Sequence, residues 1–316
     1  MLSRNGRSIA IIGITGNQGG SVFKALEASS KPYKITGFTR DVFKPNAKEL
    51  SAKGVNMLSL NLTVGNKDNL VQACKGVDIL FAMTNFWEHN DRSRETAEGK
   101  MMVDAAKEAG LQLFIYAGLP SYIKISNGKY VNVDHFDGKA EVEAYAKSVK
   151  LNTVSIQPAM YMENFGPGSP GSARRGEDGQ LNYFFPQGFA KAKVSLINVV
   201  EDYGLFVQKV IENNNYPTGS TVMACSDIIN GQDFLDTVSA AAHQKIGAIE
   251  VPLEIYIQGL SKAVGETTAR EFGEMFATVW EYGYYGEEDP SKDQADLSRQ
   301  PNTWASFVKR QDWSKY

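Results

Sequence analysis

Cysteine is scarce in this chain of 316 residues: Cys74 and Cys225 are the only two, and they lie far apart. Neither a disulfide framework nor a zinc-ligand set can be built from them, which suits a reducing compartment. Excess basic charge is missing too. The net charge of −3 leaves no basic footprint, so direct nucleic-acid binding is not expected. No apolar run is long enough to span a bilayer, and the short polar stretch Met1–Gly6 does not read as a signal peptide. The expectation is a cytoplasmic protein, with nuclear access open, that has no membrane partner. His-rich or carboxylate clusters with metal-ligand spacing are lacking, so no metal is expected. Internal repeats and low-complexity tracts are also absent. What remains is an ordinary globular composition, long enough for one large α/β domain with a smaller lobe or for two domains.

The most informative stretch that is present runs from Ile9 to Gly20. Ile9-Ala10-Ile11-Ile12 is apolar and rich in β-branched side chains, as a buried parallel strand requires. Glycines follow at Gly13, Gly16 and Gly19, spaced G-x-x-G-x-x-G, and Gly20–Ala28 then reads as a helix. Strand, glycine turn and helix in that order present backbone N–H groups to a pyrophosphate. Gly13 permits the tight turn, Gly16 lets the backbone approach phosphate, and Gly19 lets the helix pack close to the strand. The plain alternative is a tight βα turn with no ligand.

The first half alternates strands and helices. Ser8–Ile12, Lys34–Thr39, Asn56–Leu60, Asp78–Met83, Leu113–Ala117 and Thr153–Gln157 read as strands, and Asn46–Lys53, Asn66–Cys74, Arg92–Ala109 and Lys139–Lys147 as helices. Such repetition forces right-handed crossovers and a parallel sheet with helices on both faces. The expected architecture is a Rossmann-type, doubly wound α/β sheet over residues 1–158. Residues 159–316 are expected to form a smaller α/β lobe, partly interleaved with the sheet. In that half Val200–Glu212 and Gly231–His243 read as helices, and Pro301–Val308 as the start of a capped terminal helix. Gly166–Gly179 reads as a long exposed loop, either a lid or a contact surface, and Glu287–Ser298 as an acidic solvated loop.

Ligands of such sheets bind at the carboxyl ends of the strands. After the second strand come Arg40 and Lys44, two cations able to neutralise a 2′-phosphate, so NADP(H) is favoured, with NAD(H) also admitted. Asp41 could instead serve a ribose diol. Asn61 can reach an adenine edge and Leu62 can pack on the ring. Thr84, Asn85 and Phe86 would lie along the ribose and nicotinamide half, and Trp87 would wall the cleft or simply pack at a strand end. Further on, the Tyr-x-x-x-Lys of short-chain dehydrogenases survives as His135-x-x-x-Lys139, with histidine where tyrosine belongs. Lys139 is the candidate ribose ligand, and Lys139 and His135 are the candidate catalytic residues. The serine usual after the fifth strand is missing, and Ser121 is displaced from its place.

These motifs resemble those of the NmrA-like family of atypical short-chain dehydrogenase/reductase proteins. The resemblance rests on Gly13-Ile14-Thr15-Gly16-Asn17-Gln18-Gly19, Thr84-Asn85-Phe86-Trp87-Glu88, His135-Phe136-Asp137-Gly138-Lys139 and Pro158-Ala159-Met160-Tyr161-Met162-Glu163-Asn164-Phe165. It implies that Gly13, Thr15, Gly16, Asn17, Gln18 and Gly19 hold a pyrophosphate and that Arg40 and Lys44 hold the 2′-phosphate. It also implies that Asn85, Phe86, Lys139 and the stretch Tyr161, Glu163, Asn164, Phe165 line the nicotinamide end. Family members include redox-responsive regulators that bind protein partners such as transcription factors, and true reductases of small carbonyl, quinone or enone substrates. Oligomeric state is not legible.

Overall fold

The computed structural model describes residues 6–176, 178–213 and 216–315. Met1–Asn5 of the polar lead-in, and Glu177 in the Gly166–Gly179 loop, lie outside the described residues. The first half folds in the order β1 (Arg7–Ile12), α1 (Asn17–Glu27), β2 (Tyr33–Thr39), α2 (Pro45–Ala52), β3 (Asn56–Ser59), α3 (Lys67–Ala73), β4 (Ile79–Ala82), α4 (Arg92–Glu108), β5 (Leu113–Tyr116), α5 (Tyr122–Ile125), α6 (Asp134–Ser148) and β6 (Thr153–Pro158). The second half supplies β7 (Met160–Tyr161), β8 (Arg174–Arg175), β9 (Leu181–Pro186), β10 (Lys193–Ile197), α7 (Val199–Glu212), β11 (Ser220–Ala224), β12 (Asp227–Asn230), α8 (Gly231–Ala242), β13 (Ile246–Val251), α9 (Leu253–Val264), α10 (Glu266–Tyr282) and α11 (Trp304–Lys309).

The central sheet has seven strands in the order β11-β6-β5-β4-β1-β2-β3. All its pairings are parallel. Strand order reverses between β1 and β4, and this switch point is where the loops part to leave a crevice. The doubly wound parallel sheet expected from the sequence is therefore present. Its strands are apolar on both faces because both faces are covered. Along β1, Ile9 and Ile11 join one core with Val22 and Leu26 of α1 and Val207 and Ile211 of α7. Ala10 and Ile12 join the other, with Leu70 of α3, Met102 and Val103 of α4 and Val142 and Ala146 of α6.

The seventh strand comes from late in the chain. β11 pairs with β6 in register Ser220↔Val154 through Ala224↔Pro158. The rest of the second half forms two three-stranded sheets, β12-β10-β7 and β13-β9-β8, with α8 to α11 around them. An aromatic cluster holds this region together. Phe234 stacks on Trp304 with centroids 4.4 Å apart, and Phe165 meets both rings edge-on.

Two loop expectations need correction. Glu287–Ser298 is not wholly solvated. Asp293 is buried and accepts a 2.8 Å hydrogen bond from the Met223 amide of β11, so the segment is pinned to the sheet edge. Within Gly166–Gly179, Arg174 and Arg175 form the short strand β8 antiparallel to β9. Both cysteines are buried and unpaired in disulfides. Among the described residues no helix is long and apolar enough to cross a membrane.

Candidate functional site

A cavity of about 400 Å³ opens at the switch point, lined by residues that follow β1, β2, β3 and β4 and by the first turns of α4. Its floor is the glycine turn. Gly13 has φ of +70°, a left-handed conformation that only glycine adopts without strain. The Gly16 amide donates to the Gly13 carbonyl at 2.9 Å, which closes the turn. A Cβ on Gly19 would stand 2.3 Å from the Gly13 carbonyl oxygen, so only glycine lets α1 start this close to β1. Gly16 caps α1 without any side-chain hydrogen bond, and the first turn carries no acidic residue. The amides of Asn17, Gln18 and Gly19 thus remain for a ligand, and an anion is the partner such a helix start favours. This cradle fits the pyrophosphate of a dinucleotide.

The walls follow from the other strand ends. Arg40, Asn61, Leu62, Thr84 and Asn85 line the cavity alongside Gly13, Thr15 and Gly16. Asn66 donates to the Asn61 carbonyl at 2.8 Å and fixes that loop. Lys44 stands at the N-cap of α2 and is not among the lining residues. Asp41 accepts from the Phe43 amide at 2.8 Å, so its carboxylate closes a local turn instead of facing the cavity. Glu88, His89, Arg94 and Glu98 also line the space, and sequence reasoning did not single out a role for them.

Behind Thr84 lies a buried polar cluster. Lys139 reaches back from α6 to form an ion pair with Glu95 of α4, and donates to Thr84 Oγ1 at 3.0 Å. Thr84 Oγ1 donates to Glu95 at 2.7 Å and meets the Tyr116 hydroxyl at 3.0 Å. Burial lowers the Lys139 pKa, opposed by the adjacent Glu95 charge. Glu95 Oε2 is buried with no hydrogen-bond partner. Glu95 was missed, yet it carried a signal: it sits seven residues before Met102 and so on the buried stripe of α4.

His135 is likewise engaged. Its backbone amide and its ring Nδ1 both meet Glu271 of α10, at 2.8 and 2.6 Å. Its ring lies 5.0 Å from that of Trp87, which stacks on Phe272 of the same helix at 5.1 Å. Phe86 is buried beside Trp87. Ser121 donates to Asp137 at 2.6 Å, which turns the displaced hydroxyl into a structural contact.

The stretch after β6 makes its contacts with the second half of the chain. Glu163 accepts from the Val199 and Val200 amides at 3.3 and 3.1 Å, capping α7. Phe165 lies in the aromatic cluster of the second half, and the Asn164 carbonyl accepts from Ser169 and Gly171. Tyr161 pairs within the β7–β10 sheet. None of these four lines the cavity.

Against known proteins, the NmrA-like family matches residues 5–308. An NmrA-like family domain-containing oxidoreductase, hkm9 of Aspergillus hancockii, is 29% identical over 92% of this chain and 88% of its own length. An NmrA-like family domain-containing protein of Dictyostelium discoideum is 24% identical over 76% of this chain and 79% of its own. Among solved structures, NmrA, a negative transcriptional regulator, in complex with NAD superposes with a TM-score of 0.78 at 17% identity, covering 98% of this chain and 99% of that one. The Escherichia coli NADPH-dependent quinone oxidoreductase complexed with NADPH gives 0.75 at 18% identity over 95% and 98%.

Proposed function

The chain belongs to the NmrA-like family, and from that premise we propose that it binds NADP(H) and acts as a redox-responsive regulator through a protein partner such as a transcription factor. The carrying observation is a contrast within one site. The cradle for pyrophosphate and adenine is open and lined by Gly13, Thr15, Gly16, Asn61 and Leu62. At the positions of a proton relay His135 stands where tyrosine belongs, and Lys139 is closed on the buried carboxylate of Glu95. Asn17, Gln18 and Gly19 would hold the pyrophosphate with backbone amides, and Arg40 the 2′-phosphate. NAD(H) is the second candidate ligand, since NmrA has been solved with NAD as well as with NADP.

A second reading, an NADPH-dependent reductase of a quinone, carbonyl or enone, is favoured by the His135–Glu271 contact. Bound NADPH would supply the hydride. Glu271 holds Nδ1 of His135, which leaves Nε2 as the nitrogen able to carry a proton beside Trp87. The names of relatives such as hkm9 support it as well.

Calorimetric titration with NADPH, NADP, NADH and NAD, followed by an assay of NADPH oxidation over a panel of quinones and carbonyls, separates the readings. Tight NADP(H) binding without turnover is the result expected for the regulator. Turnover that falls in His135→Ala would establish the reductase in its place.

A further inference from the structure

Glu88 closes the family-like motif Thr84–Glu88 and has no part in the reading above. It stands at the end of the turn that follows β4, while Arg40 follows β2. β1 lies between those two strands in the sheet. Arg40 Nη1 nevertheless contacts Glu88 Oε1 at 3.0 Å, so this ion pair spans the crevice above the glycine turn. Both residues line the cavity. Asn85 Nδ2 donates to the other carboxylate oxygen, Oε2, at 3.3 Å and steadies it. His89 Nε2 lies 3.7 Å from Oε1. The second guanidinium of the cavity is matched in the same way, since Arg94 donates to Glu98 at 3.1 Å. Each arginine facing this space therefore already has a carboxylate.

We infer that Glu88 is a specificity-determining residue, the internal counter-ion that a 2′-phosphate must displace from Arg40. The inference rests on the cofactor reading given above. A 2′-phosphate carries close to two negative charges, and it cannot share Arg40 with a carboxylate without repulsion. A ribose 2′-hydroxyl carries none and can even donate to Glu88 with the ion pair intact. Glu88 thereby holds down the preference for NADP(H) that Arg40 alone would confer. Neither group is deeply buried, with side chains 70% and 38% exposed, so the effect is modest.

The test is titration of the full chain with NADPH and with NADH, in wild type, Glu88→Gln and Glu88→Ala. Glutamine keeps the shape and an acceptor for Arg40 but removes the charge. NADPH is expected to bind about fivefold more tightly to both variants, with NADH changed by less than about twofold. An unchanged NADPH to NADH affinity ratio overturns the inference while leaving the cofactor reading in place. So does a parallel loss for both ligands, which would make Glu88 a brace for the loop. Wild type that binds neither dinucleotide ends the cofactor reading and this inference together.

Discussion

Replacing Gly19 by alanine tests the cradle directly. The added Cβ would meet the Gly13 carbonyl oxygen at 2.3 Å, the Gly13 carbonyl carbon at 2.5 Å and the Ile14 amide at 2.8 Å. Ordinary contact begins at 3.4 Å, so the helix start and the strand end must separate by about 1 Å. Every contacted atom is backbone, and no rotamer change can relieve it. Overpacking of this kind costs about 1–3 kcal/mol. At about 2.1 cal/mol/K per residue over the chain, that lowers the melting temperature by roughly 2–5 °C. The same displacement draws the α1 amides away from the pyrophosphate. Hydrogen bonds to charged groups are worth about 1.5–3 kcal/mol, so loss of one weakens NADPH binding by roughly 10- to 100-fold. Gly65→Ala is the control, since its Cβ meets nothing within 4 Å and its backbone is not left-handed. The assay is calorimetric affinity for NADPH alongside thermal denaturation of both variants. Gly19→Ala that melts and binds like wild type would refute the argument that this glycine exists to let helix and strand approach.

Other expectations follow from burial. Lys139→Ala strands Glu95 in the interior and should cost about 3–5 kcal/mol in urea unfolding, most of it recovered in Lys139→Met combined with Glu95→Leu; a double variant whose destabilisation equals the sum of those of Lys139→Met and Glu95→Leu alone would show that the pair is not coupled. Burial pushes the thiols of Cys74 and Cys225 up to about 12. At pH 8 a thiol reagent should therefore label the native protein roughly a thousandfold more slowly than the unfolded chain, and fast native labelling of either would contradict the burial. Burial also raises the Asp137 carboxyl above its ordinary value. Its folded form binds the proton more tightly than the unfolded one, so its contribution to stability is present at acid pH and lost as pH rises through the raised value. Asp137→Asn should gain on wild type in urea midpoints as pH rises from acid towards neutral, whereas a difference that stays constant with pH would exclude the titration as its source.

The first six strands are legible because each is a short apolar run bounded by turn residues, and their ends differ by one residue at most between sequence and structure. The start of α6 is not. The sequence places it at Lys139, after Gly138, whereas the helix begins at Asp134. Tertiary contact explains the difference: Gly138 lies against Glu95 and Arg92 of α4, with a Cβ position only 3.1 Å from Glu95 Oε2. Propensity disfavours glycine inside a helix, and packing overrides it here. The cavity residues at the strand ends could be found because topology dictates where they stand. Glu95 and Glu271 could not be paired with Lys139 and His135 from sequence, since each partner lies on another helix and charged residues are normally solvated. The parallel pairing of β9 with β13, across 65 positions from Leu181 to Ile246, has no local signature.

The late origin of β11 has a consequence for synthesis. Until Ala224 has left the ribosome, β6 has no neighbour on its outer side, and a parallel strand edge stands open. α7, which covers α1, also arrives only after Val199. The nascent first half therefore carries a finished nucleotide cradle on an unfinished sheet. A truncation after Pro158 would keep every glycine of the turn and expose two surfaces that seek partners. Aggregation of such a fragment, with recovery when residues 199–224 are supplied in trans, is the behaviour this order of assembly dictates.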